Sequence, residues 1–270
     1  MTGVLGASDP DEPVSLSDLE FDVLLEHLGI ADPPLVLRVP SPGRTHQRRR
    51  ELCEVAWRSM TERGLCHGNT PIDSLRRMMS VLEAPTREVD GRCWAGRSVR
   101  MLAAASGEGD ASEAVLAVKE EQRLWLRPAA PTGLAREALS VLPEVAAGSG
   151  RSVSLPSAAL EAAASEAGDD LPALRAALCA RGVRADEAEM LVGMLDGVQA
   201  SGQFGAAVRR KPAGRYRVEH VVGFFDSRAG RYLQLRRDTS SGEPWSTVAP
   251  VDRRGLVNRV AELAAEPLPR

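Results

Sequence analysis

The chain has 270 residues, of which 43% are hydrophobic and 26% are charged, as is usual for a globular protein with a buried core. Its formal net charge of -3 at pH 7 provides no overall positive field, so binding of DNA or RNA would have to depend on local patches. No stretch approaches the ~18 apolar residues that a membrane span requires, and the acidic first residues do not resemble a secretory signal. We therefore expect a cytoplasmic protein that neither binds nucleic acid nor inserts into a membrane.

The cysteines and histidines do not predict a metal site. The four cysteines contain no Cys-x-x-Cys pair, and the four histidines have no repeated spacing of the kind found in zinc sites. We expect ordinary reduced thiols, no metal and no cofactor.

The first half of the chain begins with a helical pattern. Residues 1–14 are rich in Gly, Asp and Pro and are expected to be a flexible terminus. Ser17 and Glu20 have the spacing of a capping box, which predicts that a helix starts here and ends at Gly29. The run at 33–39, PPLVLRV, predicts a short strand because its prolines disfavour a helix.

Two more helices are predicted before the pattern changes. Thr45 can cap a second helix that ends at Gly64, and a third is expected to open at Thr70 with Pro71 in its first turn. From Arg87 onwards, four short runs separated by Gly, Ser and Asp predict an antiparallel meander, and a helix follows it.

The second half repeats this order. A strand near Val153 is followed by three helical patterns, four strand-like runs and a final helix. One of these runs, RYRVEHVVGFF at 215–225, places His220 on a strand among apolar neighbours. A histidine in such a position more often has a structural role than a ligand-binding one.

Several residues of the two halves correspond at nearly constant offsets. Val39-Pro40-Ser41 can be aligned with Leu155-Pro156-Ser157, Leu82 with Leu195, and Trp125 with Trp245. Such matches over whole halves are better explained by an ancient duplication than by chance.

The duplication predicts an α+β fold with quasi-two-fold symmetry around a central, mainly antiparallel β-sheet. The pseudo-repeats would cover about 15–147 and 151–265 of a single domain at 15–270. The alternative is two separate domains joined by the linker at 146–151.

No motif in the chain predicts catalysis. There is no Gly-x-Ser-x-Gly motif, and the glycines of ASGEGDAS at 105–112 lie between two strand-like runs, which favours a hairpin loop over a phosphate-binding loop. A small-molecule enzyme or ligand-binding protein that uses the sheet as a platform stays open as an alternative, with only Glu219 and His220 to support it. The arginine clusters are short and scattered, which favours solvated surface over nucleic-acid binding.

A helix near residue 190 has a broader apolar face than one buried stripe requires. This face carries the methionines Met190 and Met194 with Leu191, Leu195 and Val198. Methionine-rich faces adapt to partner helices, but they also fill cores that are poor in aromatic residues. Both interpretations stay open, and 4% aromatic content favours the core.

The order of these features resembles the EspG family of ESX (type VII) secretion-associated proteins of actinobacteria. The segments that carry the resemblance lie at 16–30, 33–65, 123–139 and 231–263, and together they span most of the chain. The resemblance implies a non-enzymatic cytoplasmic chaperone with a central antiparallel sheet and two helical bundles. It further implies binding to the helical tip of the PPE protein in a PE/PPE heterodimer, which is kept soluble until export.

The family's contact region, as implied by the resemblance, includes a loop between strands, the adjoining sheet and the C-terminal helical bundle. Position in the chain places ten residues of this protein in that region. They are Ser106, Gly107, Glu108, Gly109 and Asp110 of the loop, and Met190, Leu191, Met194, Leu195 and Val198 of the helix.

Overall fold

The structure, a computed structural model, describes residues 13–107, 109–210, 214–238 and 242–266. The elements of the first half are β1 (Val14–Ser17), α1 (Asp18–His27), a 3-10 helix (Leu35–Leu37), α2 (His46–Glu62), β2 (Cys66–His67), β3 (Thr70–Pro71), α3 (Asp73–Glu83), β4 (Arg87–Trp94), β5 (Ser98–Ser106), β6 (Glu113–Glu120), β7 (Arg123–Pro128) and α4 (Leu134–Leu139). Those of the second half are β8 (Val153–Pro156), α5 (Ser157–Ala167), α6 (Leu171–Ala180), α7 (Ala185–Leu195), β9 (Ala200–Arg210), β10 (Gly214–Arg217), β11 (Val222–Ser227), β12 (Gly230–Asp238), β13 (Pro244–Pro250) and α8 (Arg253–Ala264).

One large sheet runs through both halves. Its strand order is β1-β7-β6-β5-β4-β9-β11-β12-β13-β8, and β10 pairs with β9 beside β11. The halves meet where β4 pairs with β9, from Arg87 opposite Val208 to Trp94 opposite Ser201. All ladders between the described strands are antiparallel, which confirms the predicted α+β fold with a central antiparallel sheet.

The strand order places corresponding elements of the two halves at corresponding positions. Trp125 and Trp245 both lie on a strand next to an edge strand. The aligned segments at 39–41 and 155–157 do not correspond, because Leu155 lies on an edge strand whose counterpart is β1, whereas Val39 lies in a loop. An ancestral duplication therefore stays a prediction that the shared topology supports.

Both helical bundles pack on the same face of the sheet. The bundle of α1, α2 and α3 covers the first half, around sheet residues such as Leu102, and that of α5, α6 and α7 covers the second half, around residues such as Phe225. We call this the bundle face. Helices α4 and α8 cover the opposite face near the centre, around Met101 and Phe224, and we call that the back face.

Local signals set the helix starts as predicted in two places. The Ser17 hydroxyl accepts a hydrogen bond from the backbone N–H of Glu20, whose carboxylate in turn accepts from the N–H of Ser17. The hydroxyl of Thr45 accepts from the backbone N–H of Arg48. Strand β1 begins at Val14, within the terminus that was predicted to be flexible, and residues 1–12 lie outside the described part of the chain.

Three predicted elements differ in the structure. The run at 33–39 forms a 3-10 helix instead of a strand, since Val36 and Leu37 turn into the core of the first bundle. The third helix begins at Asp73, because Thr70 and Pro71 pair with the strand before them. The run at 215–225 forms two strands that follow one side of β9, interrupted at 218–221, so His220 is not on a strand.

A buried ion pair fixes the segment between the halves to the sheet. Arg231 is fully buried, and its guanidinium donates two hydrogen bonds to Asp226, at 2.7 and 2.8 Å. The same side chain donates to the carbonyl of Pro143 at 3.1 Å, and its backbone N–H donates to Ala146 at 2.9 Å. The predicted linker at 146–151 is therefore held against β12 where it leaves the first half.

Replacing Asp226 by Asn keeps the shape of the side chain but removes the counter-charge of the buried guanidinium. We expect Asp226→Asn to reduce the free energy of unfolding by about 3–5 kcal/mol, because the charge of Arg231 is left uncompensated in the core. Urea unfolding followed by circular dichroism measures this loss. The matched control is Arg228→Gln, which removes an exposed pair with Asp196 and should cost no more than about 1 kcal/mol. Equal losses in both variants would contradict the role of the buried pair.

Candidate protein-binding surface

The two bundles leave the middle of the bundle face open. A depression of about 1240 Å³ lies there, and a smaller one of about 220 Å³ continues it, with Arg92, Gln203 and Val221 lining both. We call this continuous depression the sheet groove. Its walls come from the 3-10 helix on one side and from the end of α7 on the other, through Leu35 and Leu195.

Three exposed apolar side chains line the sheet groove. Leu35, Trp94 and Val198 have exposed fractions of 61%, 54% and 42%, and they are among the five most exposed large hydrophobic residues of the described chain. Their exposure costs free energy that burial against a partner would recover, at about 25 cal/mol per Å². Trp94 and Val198 line the same depression, and exposed apolar groups that share a depression with polar neighbours are typical of a protein-binding surface.

Two ion pairs close the narrow end of the sheet groove. Arg215 donates to both carboxylate oxygens of Glu88, at 2.8 and 3.2 Å, and Arg217 forms a similar pair with Asp90. Hydrogen bonding to the carboxylates raises the pKa of Arg215 and the pKa of Arg217. Gly205 permits this arrangement, since a Cβ there would lie 2.9 Å from Cζ of Arg217.

The structure divides the predicted helix face between the core and the sheet groove. Leu191 and Met194 are each 1% exposed and pack in the core of the second bundle, so they offer no surface to a partner in this conformation. Leu195 and Val198 line the sheet groove. Met190 is partly buried against the same core. A contact role for Met190, Leu195 and Val198 stays a prediction, and Leu195 and Val198 are the two of them that line the sheet groove.

The predicted loop is not brought to the sheet groove. The loop follows β5 at Ser106, whereas the sheet groove lies at the end of β5 that pairs with Trp94. The nine residues of β5 separate these ends by about 27 Å. A single 3-10 turn at Gly109–Ala111 and a positive φ of 80° at Gly107 shape the loop, as expected of a hairpin connection.

Two of the predicted loop residues have no described side chain. Glu108 lies outside the described residues, and only the backbone of Asp110 is described. That Ser106 to Asp110 contact a partner therefore stays a prediction, and Ser106, which is described, lies at the end of β5 away from the sheet groove.

Leu35, Trp94 and Arg92 were not predicted from the sequence as residues of the surface. Two of them carried a usable signal, because Leu35 follows two prolines and Trp94 precedes the Ala95-Gly96 turn of a hairpin, where a large apolar residue has little to pack against. Arg92 had no such signal, since its position in the sheet groove depends on the neighbouring strand β9.

The titratable groups near the sheet groove do not form a catalytic arrangement. His220 lies on its rim, and Nε2 of His220 is 2.9 Å from Oε1 of Glu266 at the end of the last helix. Burial raises the pKa of the Cys93 thiol to about 11, so this side chain is not a thiolate nucleophile at neutral pH.

The described residues offer neither a metal site nor a membrane-spanning helix. They contain no group of three or more His, Cys, Asp or Glu side chains placed to hold a metal ion. No helix in the described part of the chain has the length and apolar character needed to cross a membrane.

Comparison with known proteins gives a family and a fold. A model of the EspG family matches residues 17–262. No curated protein matches the chain. A solved structure of the type VII secretion system chaperone EspG5 of Mycobacterium tuberculosis, in complex with a PE25-PPE41 dimer, is similar over 96% of this chain and 97% of that chain. The TM-score is 0.72 and the sequence identity is 16%, so this likeness shows the shared fold.

Substitution by aspartate distinguishes the buried from the exposed part of the helix end. Met194→Asp places a charge in the core and should reduce the free energy of unfolding by several kcal/mol, on the order of what a buried unpaired charge costs. The melting temperature should fall by about 10 °C or more. Val198→Asp places the same charge in solvent and should leave stability within about 0.5 kcal/mol. Thermal denaturation of both variants provides the measurement, and a folded, stable Met194→Asp protein would contradict the assignment of this residue to the core.

Proposed function

Because the chain belongs to the EspG family, we propose that it is a cytoplasmic chaperone of type VII secretion that binds a PE/PPE-like heterodimer. The chaperone keeps the secreted pair soluble until export by covering apolar surface at the helical tip of the PPE-like protein. The family is one of secretion chaperones rather than enzymes, and the predicted fold, family and non-enzymatic role agree with each other.

The observation that carries the proposal is the sheet groove with its exposed apolar rim. In EspG5 the same fold was solved with a PE25-PPE41 dimer bound, so the fold accommodates this class of partner. In this chain, Trp94 and Val198 stand beside an open depression of about 1240 Å³. Small-molecule sites are about 300–1,000 Å³ and enclose most of their ligand, whereas an open depression of this size fits a protein segment.

The residue composition of the sheet groove is also suited to a reversible complex. The sheet groove combines a few exposed apolar side chains with polar and ion-paired ones, and such a mixed composition is typical of non-obligate protein interfaces. A chaperone must release its substrate to the secretion machinery, and an interface with few apolar anchors permits release.

Co-expression with the PE/PPE-like pairs encoded beside the gene tests the function. We expect the wild-type chain to co-purify with at least one pair and to increase the soluble fraction of that pair. Failure of the wild-type chain to co-purify with every such pair would overturn the proposed function.

Point variants test whether the sheet groove is the contact surface. Trp94→Asp and Val198→Asp should each weaken binding by about 30-fold or more, as expected when a central apolar anchor is replaced by a charge. The matched control is Val55→Asp on α2, since Val55 is 54% exposed, as Trp94 is, and does not line the sheet groove. Isothermal titration with the purified pair measures the affinities. Equal affinities of Trp94→Asp, Val198→Asp and Val55→Asp would exclude the sheet groove as the contact surface.

A further inference from the structure

Arg92 is an exposed cation on the floor of the sheet groove, and no described residue supplies it with a counter-charge. It lies on β4 between the wide and the narrow part of the depression and lines both. Its guanidinium forms no ion pair or hydrogen bond with any residue that the structure describes. By strand alternation it points to the bundle face, two residues before Trp94.

A second cation lies directly beside Arg92. Arg100 is its antiparallel partner on β5, and the next residue across the sheet is Lys119 on β6. Like charges placed directly opposite each other on neighbouring strands destabilise a sheet. Lys119 is paired with Asp18, but Arg100 donates only to the backbone carbonyl of Arg38, at 3.4 Å.

The neighbouring positive charge affects the pKa of Arg100. Burial lowers the pKa of Arg100, and the positive charge of Arg92 lowers the pKa of Arg100 further. The row formed by Arg92 and Arg100 thus carries two positive charges on adjacent strands without a carboxylate between them.

Most other guanidinium groups around this row are neutralised within the chain. Four of them have carboxylate partners, as the pairs Arg38 with Asp32, Arg215 with Glu88, Arg217 with Asp90 and Arg236 with Glu161. Those carboxylates are therefore engaged and do not compensate Arg92. Arg237 also lines the wide part without an ion pair among the described residues, but its strand is three strands from β4. Asp238 also lines the wide part, but its strand is three strands from β4, which is about 14 Å across the sheet. Glu219, at the rim, is not within ion-pair distance of Arg92.

Arg92 lies between two of the exposed apolar side chains of the sheet groove. Trp94 lies in the wide part and Leu35 in the narrow part, and Arg92 lines the floor common to both. A segment lying along the sheet groove would therefore contact apolar side chains on both sides of Arg92. An acidic side chain at the middle of that segment would form a charge-assisted hydrogen bond with the guanidinium.

We infer that the sheet groove selects a partner whose docking segment presents a carboxylate, from Asp or Glu, to Arg92 between two apolar contacts. This inference rests on the proposed function and specifies the chemistry of the partner at the same site. The acidic group supplies the counter-charge that no described residue of the chain provides, and Arg100 strengthens the local positive potential behind it.

The test compares Arg92→Gln with the wild-type chain, using the PE/PPE-like pair that co-purifies with the wild type. Loss of a charged hydrogen bond should weaken binding by about 10-fold to 100-fold. Raising the salt concentration from 50 to 500 mM should weaken wild-type binding more than that of the variant, because the screened charge pair is present only in the wild type. The matched control is Arg254→Gln on α8, an exposed arginine without an ion pair among the described residues, which should bind as the wild type does.

The stability of the free chain provides a second measurement. Since Arg92 opposes Arg100, Arg92→Gln should have an equal or higher melting temperature than the wild type. A weaker complex together with an unreduced melting temperature supports the inference.

Unchanged affinity and salt dependence in Arg92→Gln would overturn the inference while leaving the proposed function intact. A lower melting temperature would also overturn it, by showing that the charge stabilises the chain itself. A wild-type chain that binds no pair overturns the proposed function and this inference together.

Discussion

The pairing of β4 with β9 is the contact on which the arrangement of the whole molecule depends. It joins strands from the two halves of the chain over their full common length and makes one sheet out of two. Its centre is packed by a glycine opposite an aromatic ring, since Gly91 pairs with Phe204 and a Cβ at Gly91 would lie 2.7 Å from that ring. Each half alone would leave this strand edge and its apolar back face open to solvent.

This pairing also determines where a partner can bind. Because β4 and β9 continue the same alternation of side chains, the two bundles fall on one face and helices α4 and α8 on the other. The space between the bundles is bounded on both sides by helical elements and floored by the central strands. The sheet groove is thus a consequence of sheet topology. Arg92 provides it with a positive charge, and Trp94 and Val198 provide it with exposed apolar surface.

Local sequence signals predicted the elements well and their assembly less well. Capping residues such as Ser17 and Thr45 act within one turn, so their effect can be recognised without tertiary structure. The segment Leu35–Leu37 could not be assigned in this way, because its backbone follows from the packing of Val36 and Leu37 in the first bundle. The short strand-like runs separated by turn residues predicted an antiparallel sheet, but they did not show which strands would lie at its centre.

The candidate site was predictable only in part for the same reason. The broad apolar face of α7 was recognised, but one sequence does not show that Met194 turns to the core while Val198 reaches the sheet groove. The loop at 106–111 and the helix end were both assigned to the contact region by position in the chain. The order of the central strands places them at opposite ends of β5, and this order follows from pairings remote in sequence.

The two short edge strands have a consequence for the behaviour of the free protein. β1 and β8 have four residues each, and β8 ends in Pro156, which has no backbone N–H to offer to an added strand. A sheet of this width with long open edges would add further strands from other copies and form aggregates. The described edge strands are instead short, which disfavours the edge-to-edge strand addition that long open edges permit, even though apolar side chains are exposed on the sheet face.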